Sequence, residues 1–132
     1  MSSVTSGPRP DLAAYADSVR LEPAVLVKEL RDLLGARLVA YLGGVKETRA
    51  VRQWAEGTRE LSGAATVARL RVAYQAARLV AGRDDAAVAQ AWFTGLNPML
   101  GDRSPARLLR DGELEEVGPQ VLAAARQFAA VG

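Results

Sequence analysis

Residues 91–112 read AWFTGLNPMLGDRSPARLLRDG, and this stretch sets the pattern of the C-terminal third of the chain. Asn97 before Pro98 disfavours helix at that point. Ser104 followed by Pro105 is typical of a helix N-cap with proline at the first helical position. The stretch therefore predicts the end of one helix, a tight loop, a short helix and a stop at its final glycine.

Hydrophobic residues on the two sides of the predicted loop are placed to meet each other. We expect Leu108 and Leu109 to pack back on Trp92 and Phe93. Three arginines in the same stretch are left for solvent or for a partner: Arg103, Arg107 and Arg110. A buried structural corner without a binding role is the alternative interpretation of such a loop.

The composition of this 132-residue chain favours an all-helical fold. Alanine, leucine, valine and arginine are abundant, and no long run alternates as a half-buried strand would. The length suits one modest domain or two very small ones. We predict a disordered arm at residues 1–10, a helix-turn-helix bundle at residues 11–82 and a small helical domain at residues 83–132.

The residue types exclude several kinds of chemistry. The chain has no cysteine and no histidine, which removes disulfides, thiol nucleophiles, imidazole acid–base catalysis and the usual zinc sites. Because no nucleophile–base pair or ligand cluster can be assembled, we expect neither enzyme activity nor a cofactor. No uncharged apolar run reaches about 18 residues, and the polar start lacks the order of a signal peptide. The expected location is the cytoplasm, without a membrane partner.

The net charge of +2 is distributed unevenly. Residues 35–82 contain eight basic and three acidic side chains, whereas residues 1–34 contain four and five, and residues 83–132 contain five and seven. Positive charge concentrated on one module attracts polyanions such as DNA. A solvated arginine-rich surface is the alternative that charge alone leaves open.

Residues 36–57 read ARLVAYLGGVKETRAVRQWAEG. The pattern predicts a short helix, a turn at Gly43 and Gly44, and a second helix that begins at Val45 and ends at Gly57. Helix, glycine turn and helix form the helix-turn-helix plan, in which the second helix enters the major groove of DNA.

On the second helix, Val51 and Trp54 are predicted to point inward. A usual helix-turn-helix expects apolar residues at the positions that Ala50 and Gln53 occupy here. Val51 and Trp54 fit those roles if the turn is one residue longer. Arginine and glutamine can bond the edges of guanine and adenine. The predicted DNA-binding residues are Lys46, Arg49, Arg52 and Gln53. The alternative is that these side chains only pair with neighbouring glutamates along a solvated helix.

Helical patterns elsewhere complete the predicted fold. Apolar spacing and terminal signals predict helices at residues 11–19, 23–34, 61–82 and 86–93. A final helix follows, in which residues 113–116 supply acidic side chains for the positive end and Pro119 indicates where regular helix begins.

The C-terminal third resembles a known family. The spacing that carries the resemblance is that of Trp92, Asn97, Pro98, Gly101, Pro105, Leu108 and Gly112, followed by a hydrophobic helix. It resembles the toxin-binding domain of the Xre/MbcA/ParS antitoxin family over residues 85–132. The segment VRQWAEG at residues 51–57 also resembles the close of the recognition helix in Xre-type helix-turn-helix domains.

This resemblance implies the antitoxin of a type II toxin–antitoxin module. Such a protein inhibits a RES-domain toxin, which degrades NAD, by blocking its active-site cleft, and it represses its own operon. The implied partners are the toxin, operator DNA and a second copy of the chain. The implied toxin-binding residues are Leu96, Asn97, Pro98, Arg103, Arg107, Arg110, Phe128, Val131 and Gly132. The alternative function is that of a helix-turn-helix transcription regulator whose C-terminal domain only dimerises.

Overall fold

The computed structural model describes residues 10–82 and 85–131, and within them the fold is all-helical, as predicted. None of these helices is both long and apolar enough to cross a lipid bilayer. A 3₁₀ turn lies at Pro98–Leu100. The arm predicted for residues 1–10 lies outside the described residues except for Pro10. The eight α-helices found there are α1 (Pro10–Arg20), α2 (Pro23–Leu34), α3 (Ala36–Gly43), α4 (Thr48–Glu56), α5 (Ala64–Ala81), α6 (Ala86–Thr94), α7 (Pro105–Asp111) and α8 (Leu114–Val131).

Side-chain caps fix the starts of the helices in the C-terminal third. The Asp85 carboxylate accepts a hydrogen bond from the Val88 amide at 3.2 Å, and the Ser104 hydroxyl accepts one from the Arg107 amide at 3.2 Å. Each bond satisfies an amide that has no partner within its helix. The helix starts predicted from these two capping residues are confirmed.

The start of α4 differs from the sequence prediction, which placed it at Val45. The Val45 amide donates to the carbonyl of Ala40 at 3.0 Å and so completes the C-terminal cap of α3. Glu47 is extended, with φ −117° and ψ 139°, so helix begins only at Thr48. Lys46 therefore lies in the connection between α3 and α4 and not on the helix.

The start of α8 also differs, because the prediction placed regular helix at Pro119 and the structure begins it at Leu114. Val117 and Gly118 are buried. A Cβ atom added at Gly112 would lie 2.5 Å from Cγ1 of Val117, so the helix packs closely against the preceding turn. The packing of α8 offsets the loss of the backbone hydrogen bond that Pro119 cannot donate inside the helix.

The core is organised around α5, which contacts α1, α2, α3, α6, α7 and α8. Most side chains from Leu70 to Ala81 are buried. Buried residues of the N-terminal part, such as Leu26 and Val51, belong to the same hydrophobic cluster as Leu109 of the C-terminal part. Buried residues on both sides of the predicted boundary between residues 82 and 83 thus belong to one continuous core. The division into two domains stays a prediction.

Candidate functional site

Close packing between α3 and α4 determines which surface of α4 faces outward. Val51 is fully buried and Trp54 is nearly so, as the sequence predicted. A Cβ atom added at Gly43 would lie 2.9 Å from the Trp54 ring, so glycine is what lets α3 approach the indole. Because α4 turns these residues inward, its polar side chains face solvent.

The four predicted DNA-binding residues are on or next to this outward surface. Arg49 and Arg52 are exposed on α4, Gln53 is half-buried, and Lys46 is exposed in the α3–α4 connection. Lys46, Arg49 and Gln53 line one shallow groove of about 340 Å³, whereas Arg52 does not line it. Arg49 has an exposed carboxylate neighbour, Glu47, at 3.9 Å. An exposed ion pair this long contributes little, so the guanidinium remains available to a ligand.

Arg59 also lines this groove, although the sequence analysis did not single it out. Its guanidinium carbon lies 5.8 Å from the centroid of the Trp54 ring, a distance suited to a cation–π contact. The sequence gives no signal for this position, because Arg59 follows the helix stop at Gly57 and the direction in which a chain turns after a helix is set by packing.

Part of the positive charge of residues 35–82 is used inside the protein. Arg69 Nε donates to the Leu42 carbonyl at 2.7 Å. The two other arginines of α5 donate to α1 or to the residue that follows it: Arg71 to the carbonyls of Ser18 and Leu21, and Arg78 to the Asp17 carboxylate, all at 2.8 Å. The excess of basic over acidic residues at positions 35–82 therefore overstates how many cationic side chains can contact a polyanion. The arginines that remain exposed on this module are Arg37, Arg49, Arg52 and Arg59.

The polar cluster between α1 and α5 shifts the pKa values of its members. Hydrogen bonds from Arg78, and then from Arg20, hold the pKa of Asp17 below its ordinary value. Burial, together with the hydrogen bond that its hydroxyl donates to Glu29, raises the pKa of Tyr74. The contacts in this cluster join helices to one another, which is a structural role.

A second and larger open groove, of about 780 Å³, lies where α3, the α3–α4 connection and α7 meet. Arg37 and Tyr41 line it from α3, and Arg110 lines it from α7. The Arg110 guanidinium carbon lies 4.5 Å from the Tyr41 ring centroid. The structure therefore places Arg110, which the resemblance assigned to toxin binding, against Tyr41 of α3.

Apolar side chains of the C-terminal third form a third open groove of about 340 Å³. Asn97, Phe128 and Val131 line it, so three of the predicted toxin-binding residues come together. Trp92 and Met99 line it as well. Large hydrophobic side chains stay exposed in and beside this groove: Leu96 at 75%, Met99 at 57% and Val131 at 72%.

Other predicted toxin-binding residues have different surroundings. Pro98 is exposed next to Asn97, and Gly132 lies outside the described residues. Arg103 Nε donates to the Leu100 carbonyl at 3.0 Å, and its own carbonyl accepts from the Asn97 amide at 3.1 Å, so Arg103 closes the loop. Arg107 is exposed and lies 3.6 Å from the Asp111 carboxylate.

In the described part of the chain, no group of three or more acidic side chains is placed to hold a metal ion. Comparison with protein-family models, with curated proteins and with solved structures gave no match. The features that bear on function are therefore the exposed basic grooves, the apolar groove and the residues of the 92–112 motif.

Proposed function

We propose that this chain is the antitoxin of a type II toxin–antitoxin module. In this proposal α3 and α4 bind operator DNA, and the C-terminal third binds and inhibits a RES-type, NAD-degrading toxin. The protein acts in the cytoplasm and has no enzyme activity of its own. The observation that supports it best is the exposed basic surface of α4, the second of two short helices joined by a four-residue connection, as the helix-turn-helix plan requires.

The DNA-binding part rests on how α4 divides its side chains. Val51 and Trp54 anchor one face in the core, whereas Arg49 and Arg52 are exposed on the other. The connection of four residues after α3 suits a plan in which the first helix crosses the phosphate backbone and the second enters the major groove. Lys46 in that connection adds a cation beside the start of α4.

Replacing Arg49 and Arg52 together with alanine tests this part. A plot of log binding constant against log salt concentration has a negative slope, and each lost phosphate contact makes that slope shallower by about 0.9. We measure binding to the chain's own promoter fragment by fluorescence anisotropy. If both arginines contact phosphates, the magnitude of the slope should decrease by roughly two. A double variant of Arg107 and Arg126 removes the same charge from exposed positions outside this surface. Unchanged affinity of the Arg49/Arg52 variant at every salt concentration would show that α4 is not the DNA-binding helix.

The toxin-binding part rests on the apolar groove beside α8. Exposed hydrophobic surface in a small protein marks an interaction site, and aromatic residues and methionine are enriched at such sites. Met99, Phe128 and Val131 supply side chains of this kind, and Asn97 supplies a polar contact at the edge. The groove lies in the same segment that carries the family resemblance.

A second candidate function is that of a transcription regulator whose C-terminal part only dimerises. The same groove favours it, because a second copy of the chain covers exposed apolar surface as well as a toxin does. The antitoxin proposal includes a homodimer too, since helix-turn-helix proteins commonly bind two half-sites as dimers. Only the antitoxin requires a toxin-like reading frame beside the gene.

Co-expression with the product of the neighbouring gene, followed by affinity purification, distinguishes the two functions. We expect the parent chain to retain the toxin and Met99→Ser/Val131→Ser to lose it. Leu12→Ser/Val19→Ser is a matched control, because both residues are exposed on α1 and neither lines the apolar groove. Deletion of residues 129–132, which removes Val131, should weaken protection in a growth assay and leave DNA binding intact. If the parent retains no partner while the groove variant turns a dimer into a monomer, the regulator function holds instead.

A further inference from the structure

We propose that the groove between α3 and α7 binds phosphates of the DNA backbone beside α4, with Arg37 and Arg110 as the contacting residues. This inference rests on the proposed DNA binding. It extends the DNA interface beyond the helix-turn-helix segment into the C-terminal third, because Arg110 belongs to α7. We call this surface the α3–α7 groove.

The charge lining the α3–α7 groove suits an anion. Four cationic side chains line it, and Glu47 is the one acidic side chain among the lining residues: the cations are Arg37, Lys46, Arg49 and Arg110. Clustered positive charge in a concave surface raises the local concentration of polyanion.

Tyr41 gives Arg110 a defined place in the groove. The guanidinium carbon of Arg110 lies 4.5 Å from the Tyr41 ring centroid. A guanidinium that stacks on an aromatic ring keeps the N–H donors at its planar edge free, and that edge matches the oxygens of a phosphate. Among the described residues, neither Arg110 nor Arg37 forms an ion pair with a carboxylate. Both cations are therefore free to receive an anionic ligand.

The position and shape of the groove favour a backbone over a small anion. Arg37 lies on α3, the helix that crosses the phosphate backbone in a helix-turn-helix complex. The groove also includes Thr48 and Arg49 at the start of α4, so a strand held there continues onto the DNA-contacting helix. Sites for small ligands enclose most of the ligand surface, whereas this groove of about 780 Å³ is open.

The test uses the full chain and a fluorescently labelled DNA duplex of mixed sequence, since phosphate contacts do not require an operator. We expect Arg37→Gln/Arg110→Gln to reduce the magnitude of the slope of log binding constant against log salt concentration by roughly two. At about 0.1 M salt, affinity should fall roughly three- to tenfold for each residue. Arg37→Lys/Arg110→Lys should retain most of the slope, because lysine keeps the charge. Circular dichroism checks that both variants remain helical.

Lys28→Gln/Arg126→Gln is the matched control, because it removes two exposed cationic side chains that do not line the α3–α7 groove. If the Arg37/Arg110 glutamine variant binds no more weakly than this control, the inference is wrong while DNA binding through Arg49 and Arg52 stands. A lysine variant that loses as much slope as the glutamine variant would likewise overturn it. A parent chain that binds no duplex at all would contradict both the inference and the proposed function.

Discussion

Two adjacent aromatic residues on α6 have different environments. Phe93 is fully buried, whereas Trp92 is half-buried and lines the apolar groove. Their ring centroids lie 5.2 Å apart with planes at 78°, an edge-to-face contact. The sequence pattern predicts that Leu108 and Leu109 pack on both rings, without distinguishing the two. The helix turns only one of two neighbouring positions fully inward, so Phe93 is the core aromatic and Trp92 contributes to the surface.

Alanine substitutions at these two positions should therefore differ in their effect on stability. Phe93→Ala should lower the free energy of unfolding by about 3 to 5 kcal/mol, because it removes a fully buried aromatic side chain and leaves a cavity. Trp92→Ala should cost about 1 to 2 kcal/mol, since part of the indole already contacts water. Urea unfolding followed by circular dichroism measures both values, with Trp92→Phe as a conservative control. Equal losses for the two alanine variants would show that Trp92 is a core residue.

At the scale of single helices, α1 is joined to α5 largely by polar contacts. Arg78 Nη1 donates to Asp17 Oδ2 at 2.8 Å, and Arg71 Nη1 donates to the carbonyls of Ser18 and Leu21. Ala14 is buried against the core, while Leu12, Tyr15 and Val19 of α1 are exposed. A helix with so little buried apolar surface depends on its hydrogen bonds to stay in place.

The lowered pKa of Asp17 makes the attachment of α1 sensitive to acid. Because folding lowers this pKa, the carboxylate stabilises the fold above its unfolded pKa, and that contribution is lost as the pH falls through the folded pKa. We expect the stability difference between neutral pH and about pH 3 to be smaller in Asp17→Asn than in the parent. Asp32→Asn, at an exposed position on α2, is the control. A difference as large in Asp17→Asn as in the parent would exclude this carboxylate as the source.

The helices show which features the sequence alone could supply. Caps at Asp85 and Ser104 act within a few residues, so sequence located those helix starts. The start of α8 before Pro119 depends on packing against other parts of the chain, which local propensity does not contain. The same limit applies to the candidate site: sequence found the exposed arginines of α4, but Arg37 and Arg110 share a groove only because α3 and α7 pack together.

In the molecule as a whole, one long helix serves both predicted domains. α5 contacts α1, α2 and α3 on the N-terminal side and α6, α7 and α8 on the C-terminal side. The buried residues of both sides form one cluster. A change that separates the sides would expose the buried surface of α5, at a cost proportional to the apolar area returned to water. This shared core also holds the basic surface of α4 and the apolar groove beside α8 at fixed positions relative to each other.

We therefore predict that the two sides unfold as one cooperative unit, and the two tryptophans allow a direct measurement. Trp54 lies between α3 and α4, and Trp92 lies on α6, so each single-tryptophan variant reports one side. In Trp54→Phe and in Trp92→Phe, the urea transition seen by fluorescence should coincide with the transition seen by far-ultraviolet circular dichroism of the same variant. Comparing two signals within one variant removes any effect of the substitution on stability. If the fluorescence change at Trp92 were complete while much of the helical signal remained, residues 83–132 would unfold separately, as expected for an independent second domain.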